Sequence, residues 1–166
     1  MRTITVIGSI NIDLVCSGDR LPAAGETVLA RQFRVVPGGK GANQAVAAAR
    51  LGASVRFIGC VGRDEYGRMA RENLRKQGVD VRAVRTVSAH TGVALISVDA
   101  AGRNLITVAP GANAHVRSIG RHDIALTQLE TPYKLPRART VILNPAPARE
   151  VSLSGVDILI ANEIEA

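Results

Sequence analysis

Pro37-Gly38-Gly39-Lys40-Gly41-Ala42-Asn43 opens into the Ala-rich run Ala42 to Leu51, and Gly52 closes that run. Glycines ahead of a helical pattern make a tight turn in which backbone can approach a neighbour or a ligand closely. Ala-rich sequence favours helix, and glycine is a typical residue just past a helix end. Val55 to Val61 then reads as a short buried strand. Turn, helix and buried strand in this order form one unit of an α/β fold with a largely parallel sheet.

The rest of the chain extends the pattern in both directions. Thr3 to Ile7 is a short apolar run ending at Gly8, a first buried strand. Asp64 can cap a helix running to about Gln77, with Glu72 and Lys76 at i,i+4 spacing and Gly78 as the stop. Ile124 to Leu129, Val141 to Leu143 and Val156 to Ala161 read as three more strands. Two stretches break the alternation. Gly92 to Val98, the turn Asp99-Ala100-Ala101-Gly102 and Arg103 to Val108 read as a β-hairpin, and Val28 to Val36 is β-leaning. They predict a small β-layer or lid over one edge of the α/β body, built from segments at about 14–37 and 88–110.

One link conflicts with the pattern. If Ile124–Leu129 and Val141–Leu143 are parallel neighbours, residues 130–140 must cross back over the sheet, which usually takes about a dozen residues or more including a helix. Pro132 and Pro136 stand in this link and disfavour one. Either the strands are not ordinary neighbours or a helix has been lost.

Composition narrows the function classes. In 166 residues, 46% are hydrophobic and 21% charged, as in a folded globular chain, while aromatics make up only 2%, so the core must be aliphatic. The net charge of +7 comes from arginines scattered along the chain without an aromatic stacking platform, so no nucleic-acid partner is expected. No stretch approaches the roughly 18 apolar residues that span a bilayer, so no membrane partner is expected either. The amino terminus runs straight into a strand, and Cys16 and Cys60 show no metal or disulfide spacing, which predicts a reducing cytoplasmic setting and apolar filler roles for both thiols. His90, His115 and His122 have no ligand spacing and are read as surface loop residues.

In open parallel sheets ligands bind beyond the carboxyl ends of the strands. Those positions hold Asn11 and Asp13, then Glu130, then Asn144, then Asn162 to Glu165. Each alone also fits a loop or a helix cap; their recurrence predicts a polar crevice. The glycine turn is not a Walker A loop, because the spacer is absent and Gly41, not Ser or Thr, follows Lys40. With Gly8 alone after the first strand, a nicotinamide-binding reading also fails. A tight turn explains the glycines but leaves Lys40 and Asn43 at a helix start unexplained, and that helix start aims free N–H groups at one point.

Val6-Ile7-Gly8-Ser9-Ile10-Asn11-Ile12-Asp13, Gly38-Gly39-Lys40-Gly41-Ala42-Asn43-Gln44, Gly111-Ala112-Asn113, Gln128-Leu129-Glu130 and Asn144-Pro145-Ala146-Pro147-Ala148-Arg149 resemble, in order, the segments of ribokinase-like carbohydrate kinases. The resemblance implies a ribokinase-like α/β fold over residues 1–166, partial here, and a sugar site of Asn11, Asp13, Gly39, Lys40, Asn43 and Glu130. It implies that Asn162 helps to place nucleotide phosphates and that Glu165 acts indirectly on magnesium, the pair matching the family's Asn-x-x-Glu motif. The implied reaction moves the γ-phosphate of MgATP to the 5-hydroxyl of D-ribose, with K⁺ as a further cofactor and a homodimer formed through the lid. In the family the catalytic aspartate lies in a Gly-Ala-Gly-Asp segment further along, so no catalytic base is expected in these 166 residues. The stretches 113–123 and 131–140 are shorter than the family pattern, which implies two shortened or missing peripheral helices. A sugar-binding module without catalysis, or a fructokinase or nucleoside kinase relative, remain the alternatives.

Overall fold

A computed structural model describes residues 2–163. Its larger sheet is built from β1 (Thr3–Ile7), β4 (Ser54–Gly62), β5 (Val84–Val87), β8 (Arg121–Gln128), β9 (Arg137–Asn144) and β10 (Ile158–Leu159), in the order β10-β9-β8-β1-β4-β5. Every pairing in it is parallel. The smaller sheet, in the order β3-β2-β6-β7, combines β2 (Asn11–Ser17), β3 (Gln32–Gly38), β6 (Gly92–Val98) and β7 (Asn104–Ala109). There β2 runs parallel to β6, while β3 and β7 are antiparallel to their neighbours.

Alternation along the strands divides the core between the two faces of the larger sheet. Val6, Val55, Phe57 and Val61 pack with Ala42, Ala45, Ala70 and Leu74 of helices α1 (Lys40–Arg50) and α2 (Glu65–Lys76). Ile7, Ile58, Cys60 and Ala125 pack instead with Ala112 and Val116, in and just after a 3₁₀ turn over Gly111–His115. The helices form where local chemistry asks for them. Asp64 caps α2, accepting from the Gly67 N–H at 2.7 Å, and Glu72 pairs with Lys76 at 2.9 Å. Gly52 and Gly78 have φ of 86° and 81° just beyond the two helix ends.

Several expectations need correction. The β-leaning run at 28–36 becomes a strand only over Gln32–Gly38, because its partner β2 sets the register from Asn11↔Gly38 to Ser17↔Gln32. Asn11 and Asp13, read as strand-end residues, lie on β2 itself, and β5 was not anticipated. Strands β8 and β9 begin earlier than their apolar runs, since backbone pairing starts at Arg121↔Arg137 among charged residues. By contrast β10 is only Ile158–Leu159. His122 lies within β8, half-buried, and burial followed by the Arg56 charge holds its pKa below the usual value. Cys16 is exposed on β2; only Cys60 is a buried filler.

The questioned link has a definite answer. β8 and β9 are parallel neighbours, and residues 129–136 join them without a helix.

Candidate functional site

Two glycines let α1 start directly against the end of β1. Gly39 has φ 94°, a left-handed value that favours glycine, and a Cβ there would lie 2.8 Å from the Asn11 nitrogen. At Gly41 a Cβ would lie 2.7 Å from the Ser9 nitrogen. This close approach brings the helix start, the beginning of β2 and the end of β8 to one place.

Glu130, just past β8, organises that place. Its carboxylate accepts the Ser9 hydroxyl at 2.5 Å and the Lys40 N–H at 3.1 Å, and the Lys40 ammonium stands 4.0 Å away. A carboxylate at a helix start is stabilised by the unpaired N–H groups and the helix dipole. The next N–H groups are also taken: Gly41 donates to Ser9 Oγ at 3.3 Å, and Ala42 to Ser9 O at 3.0 Å. Asn43 N–H donates to Gly39 O at 2.9 Å. The helix start therefore does not aim free N–H groups at a ligand, as the sequence suggested; it holds Glu130.

Asp13 faces the same space from β2. Its carboxylate lies over Gly38, where a Cβ would come within 2.2 Å of it. Burial, and after it the negative charge of Glu130, push the Asp13 pKa above its ordinary value. Two carboxylates, the Lys40 ammonium and the buried Asn11 amide thus converge. Asn43 is exposed on the first turn of α1, beside Lys40 and Gly39.

A run of amides leads away from this cluster. Gln128 Nε2 donates to Gln44 Oε1 at 2.5 Å, Gln44 Nε2 to Asn144 Oδ1 at 3.0 Å, and Asn144 Nδ2 to Ile160 O at 3.0 Å. It ties the ends of β8 and β9 and the residue after β10 to α1. Asn162 is exposed two residues further on, and Glu165 lies outside the described residues. Among the described residues no three His, Cys, Asp or Glu side chains gather as a metal site.

Ser9, Gln44, Asn113 and Gln128 belong to the site's framework, although no role was assigned to them from sequence. Gln128 ends β8 and Ser9 follows β1 closely, so strand-end position was a signal for both. Gln44 and Asn113 stand inside the quoted motifs but contact residues far away in sequence.

The sequence model of the pfkB family carbohydrate kinases matches residues 1–128. A ribokinase of Haemophilus influenzae is 41% identical over 187 residues, covering 99% of this chain and 61% of the relative. A ribokinase of Bacillus subtilis is 44% identical over 189 residues, covering 100% and 64%. Both alignments are longer than the 166-residue chain, so these relatives carry intervening residues without a counterpart here. The Thermotoga maritima ribokinase structure has a TM-score of 0.86 at 36% identity, over 99% of this chain and 61% of that one. A structure of Arabidopsis thaliana ribokinase complexed with ribose and ATP has a TM-score of 0.79 at 28% identity, again over 99% and 61%. The chain spans 61–64% of the length of these relatives. Its fold is ribokinase-like α/β, and the chain belongs to the pfkB family of carbohydrate kinases.

Proposed function

We propose that this chain is the sugar-binding part of a ribokinase-type kinase, an enzyme that transfers the γ-phosphate of MgATP to the 5-hydroxyl of D-ribose. The observation that carries the proposal is the convergence of Asp13, Glu130, Lys40 and Asn11 around a glycine turn that keeps the backbone close. A polyol presents several hydroxyls, each both donor and acceptor, and every unmatched buried polar group costs about 1–3 kcal/mol. Carboxylates accept, while an ammonium and an amide NH2 donate, so this set matches such a ligand from both sides.

The parts then divide as follows. Asp13 and Asn11 hold sugar hydroxyls from β2, while Gly39, Lys40 and Asn43 hold them from the start of α1. Glu130 closes the ring and fixes Lys40. Asn162 and Glu165 are the residues this reading assigns to ATP phosphates and, indirectly, magnesium, with a monovalent cation such as K⁺ expected for the complete enzyme. The small sheet is a lid over the sugar and the surface through which two copies pair. The setting is cytoplasmic, and among the described residues no helix is long and apolar enough to cross a membrane.

None of the carboxylates in the cluster serves as the base in this reading. Asp13 and Glu130 bind hydroxyls other than the one that attacks, and general-base help is worth about 10²–10⁴-fold in rate. The test is ATP-dependent phosphorylation of ribose by the 166-residue chain, with mass detection of ribose 5-phosphate, alone and with the carboxy-terminal half of a related kinase added. Product only in the complemented reaction is the expected result. Rapid turnover by the chain alone would place the base within these residues and overturn the assignment of roles.

A further inference from the structure

Asn113 lies in the 3₁₀ turn that follows β7 and is 1% exposed. Its side chain is fully used. Oδ1 accepts the Ile10 N–H at 2.9 Å, while Nδ2 donates to Ile10 O at 3.0 Å and to Asn11 Oδ1 at 2.7 Å. The Ile10 backbone decides which end of the Asn113 amide is which, because an N–H must meet oxygen and a carbonyl must meet NH2. With Asn113 fixed, the atom of Asn11 that it meets has to be an acceptor. The Asn11 oxygen is therefore turned towards Asn113 and its NH2 away from it. Asn11 itself is 2% exposed and begins β2, two residues before Asp13.

The arrangement leaves room for nothing else. Gly92 pairs with Asn11 across β2 and β6, and a Cβ at Gly92 would fall 2.2 Å from Asn113 Nδ2 and 2.3 Å from Asn11 Oδ1. The three residues stand where the chain enters the small sheet at β2 and β6 and where it returns after β7.

We infer that Asn113 is a positioning residue that holds Asn11 as a hydrogen-bond donor beside the acceptor Asp13, so that the site presents a fixed donor–acceptor pair to adjacent hydroxyls of a sugar. An isolated Asn can turn its amide over and present either end; one held by Asn113 cannot. The inference rests on the sugar reading above and adds to it the direction of one hydrogen bond.

Amide-nitrogen NMR of the 166-residue chain tests it. The Asn113 NH2 protons should exchange slowly, and the Asn11 NH2 signal should shift when ribose is added. Asn113→Asp removes the donor to Asn11 Oδ1, so the Asn11 NH2 signal should move even without ligand, and ribose affinity should fall about tenfold, the worth of one net hydrogen bond. Asn11→Asp provides a second measurement if that variant does not fold. It keeps an acceptor for Asn113, so slow Asn113 exchange should persist while ribose affinity again falls by about tenfold or more. An unmoved Asn11 signal in Asn113→Asp, or wild-type ribose affinity in Asn11→Asp, overturns the inference. If the wild-type chain keeps the exchange signature but binds no ribose, the sugar reading fails and the donor assignment falls with it. If it binds ribose without the signature, the positioning role alone is overturned.

Discussion

Asp13 carries the least favourable charge in the site. It is half-buried, Glu130 repels it, and both effects raise its pKa, burial more than repulsion. A raised carboxylate pKa means that the folded chain holds the proton where the unfolded chain has released it. Between the ordinary aspartate value and the raised one, stability therefore falls as pH rises. Asp13→Asn should melt higher than wild type at neutral pH, and the difference should shrink on acidification through that window. Hydroxyl donors favour the ionised form, so ribose affinity should move the opposite way and weaken as Asp13 takes up its proton. Thermal melts and calorimetric titrations across the same pH series check both signs. Equal melting of the two proteins at all pH values would show that Asp13 bears no strain. Glu130 is held by hydrogen bonds from the Ser9 hydroxyl and from the Lys40 N–H at the start of α1.

The helices owe their ends to local contacts, and Asp64 shows how far one residue reaches. It caps α2 through Gly67 N–H, and it also accepts Thr91 N–H at 2.7 Å and the Thr91 hydroxyl at 2.6 Å. Burial works against its charge, but the hydrogen bonds from Thr91 and Gly67 outweigh it and hold the pKa below the ordinary value. Asp64 thus stabilises the fold at neutral pH, and that contribution is lost as pH falls through its lowered pKa. Asp64→Ala removes a cap and strands buried Thr91, so a loss of about 2–4 kcal/mol is expected in denaturant unfolding. Asp64→Asn should lose clearly less, because its oxygen still caps; equal losses would contradict the capping role. Such ends were legible in the sequence, as Asp64, Gly52, Gly78 and the Glu72–Lys76 pair show, because a cap depends on neighbours a few residues away. Strand β2 was missed because Asn and Asp are poor strand formers; partners far along the chain hold it in place. The polar starts of β8 and β9 were missed for a similar reason: parallel pairing needs only the backbone, while the periodicity of apolar residues reports burial. Of the candidate site, Glu130 could be read just past a strand end and Gly39, Lys40 and Asn43 in the glycine turn. Of their framework, strand-end position pointed to Ser9 and Gln128, while Gln44 and Asn113 could not be read, since only the folded chain brings their partners together.

The whole molecule is a parallel sheet with helices α1 and α2 on one face, and a small second sheet carrying Asp13 beside the site. Register places Val36, Ala94 and Val108 on the same face of the small sheet as Asp13, with Phe33, Leu95 and Leu105 on the other. Phe33, Leu95 and Leu105 are each more than half exposed, an apolar surface of the kind a second copy would cover. Sedimentation velocity should accordingly show a dimer at micromolar concentration, and Leu105→Lys should shift it to monomer. A monomeric wild type would remove the pairing role from this sheet. The other face of the larger sheet is joined by unusually direct links, with residues 129–136 carrying the chain from β8 to β9 without a helix, yet Glu130 within that link still reaches Ser9 and Lys40. The central claim is the proposed one, that this cluster binds a sugar. Calorimetric titration of ribose into the 166-residue chain and into Asp13→Ala tests it most directly. Saturable one-to-one binding by the wild type, lost in a variant that still melts cooperatively, is the expected result. Equal binding by both proteins, or no binding by a wild-type chain that melts cooperatively, would contradict it.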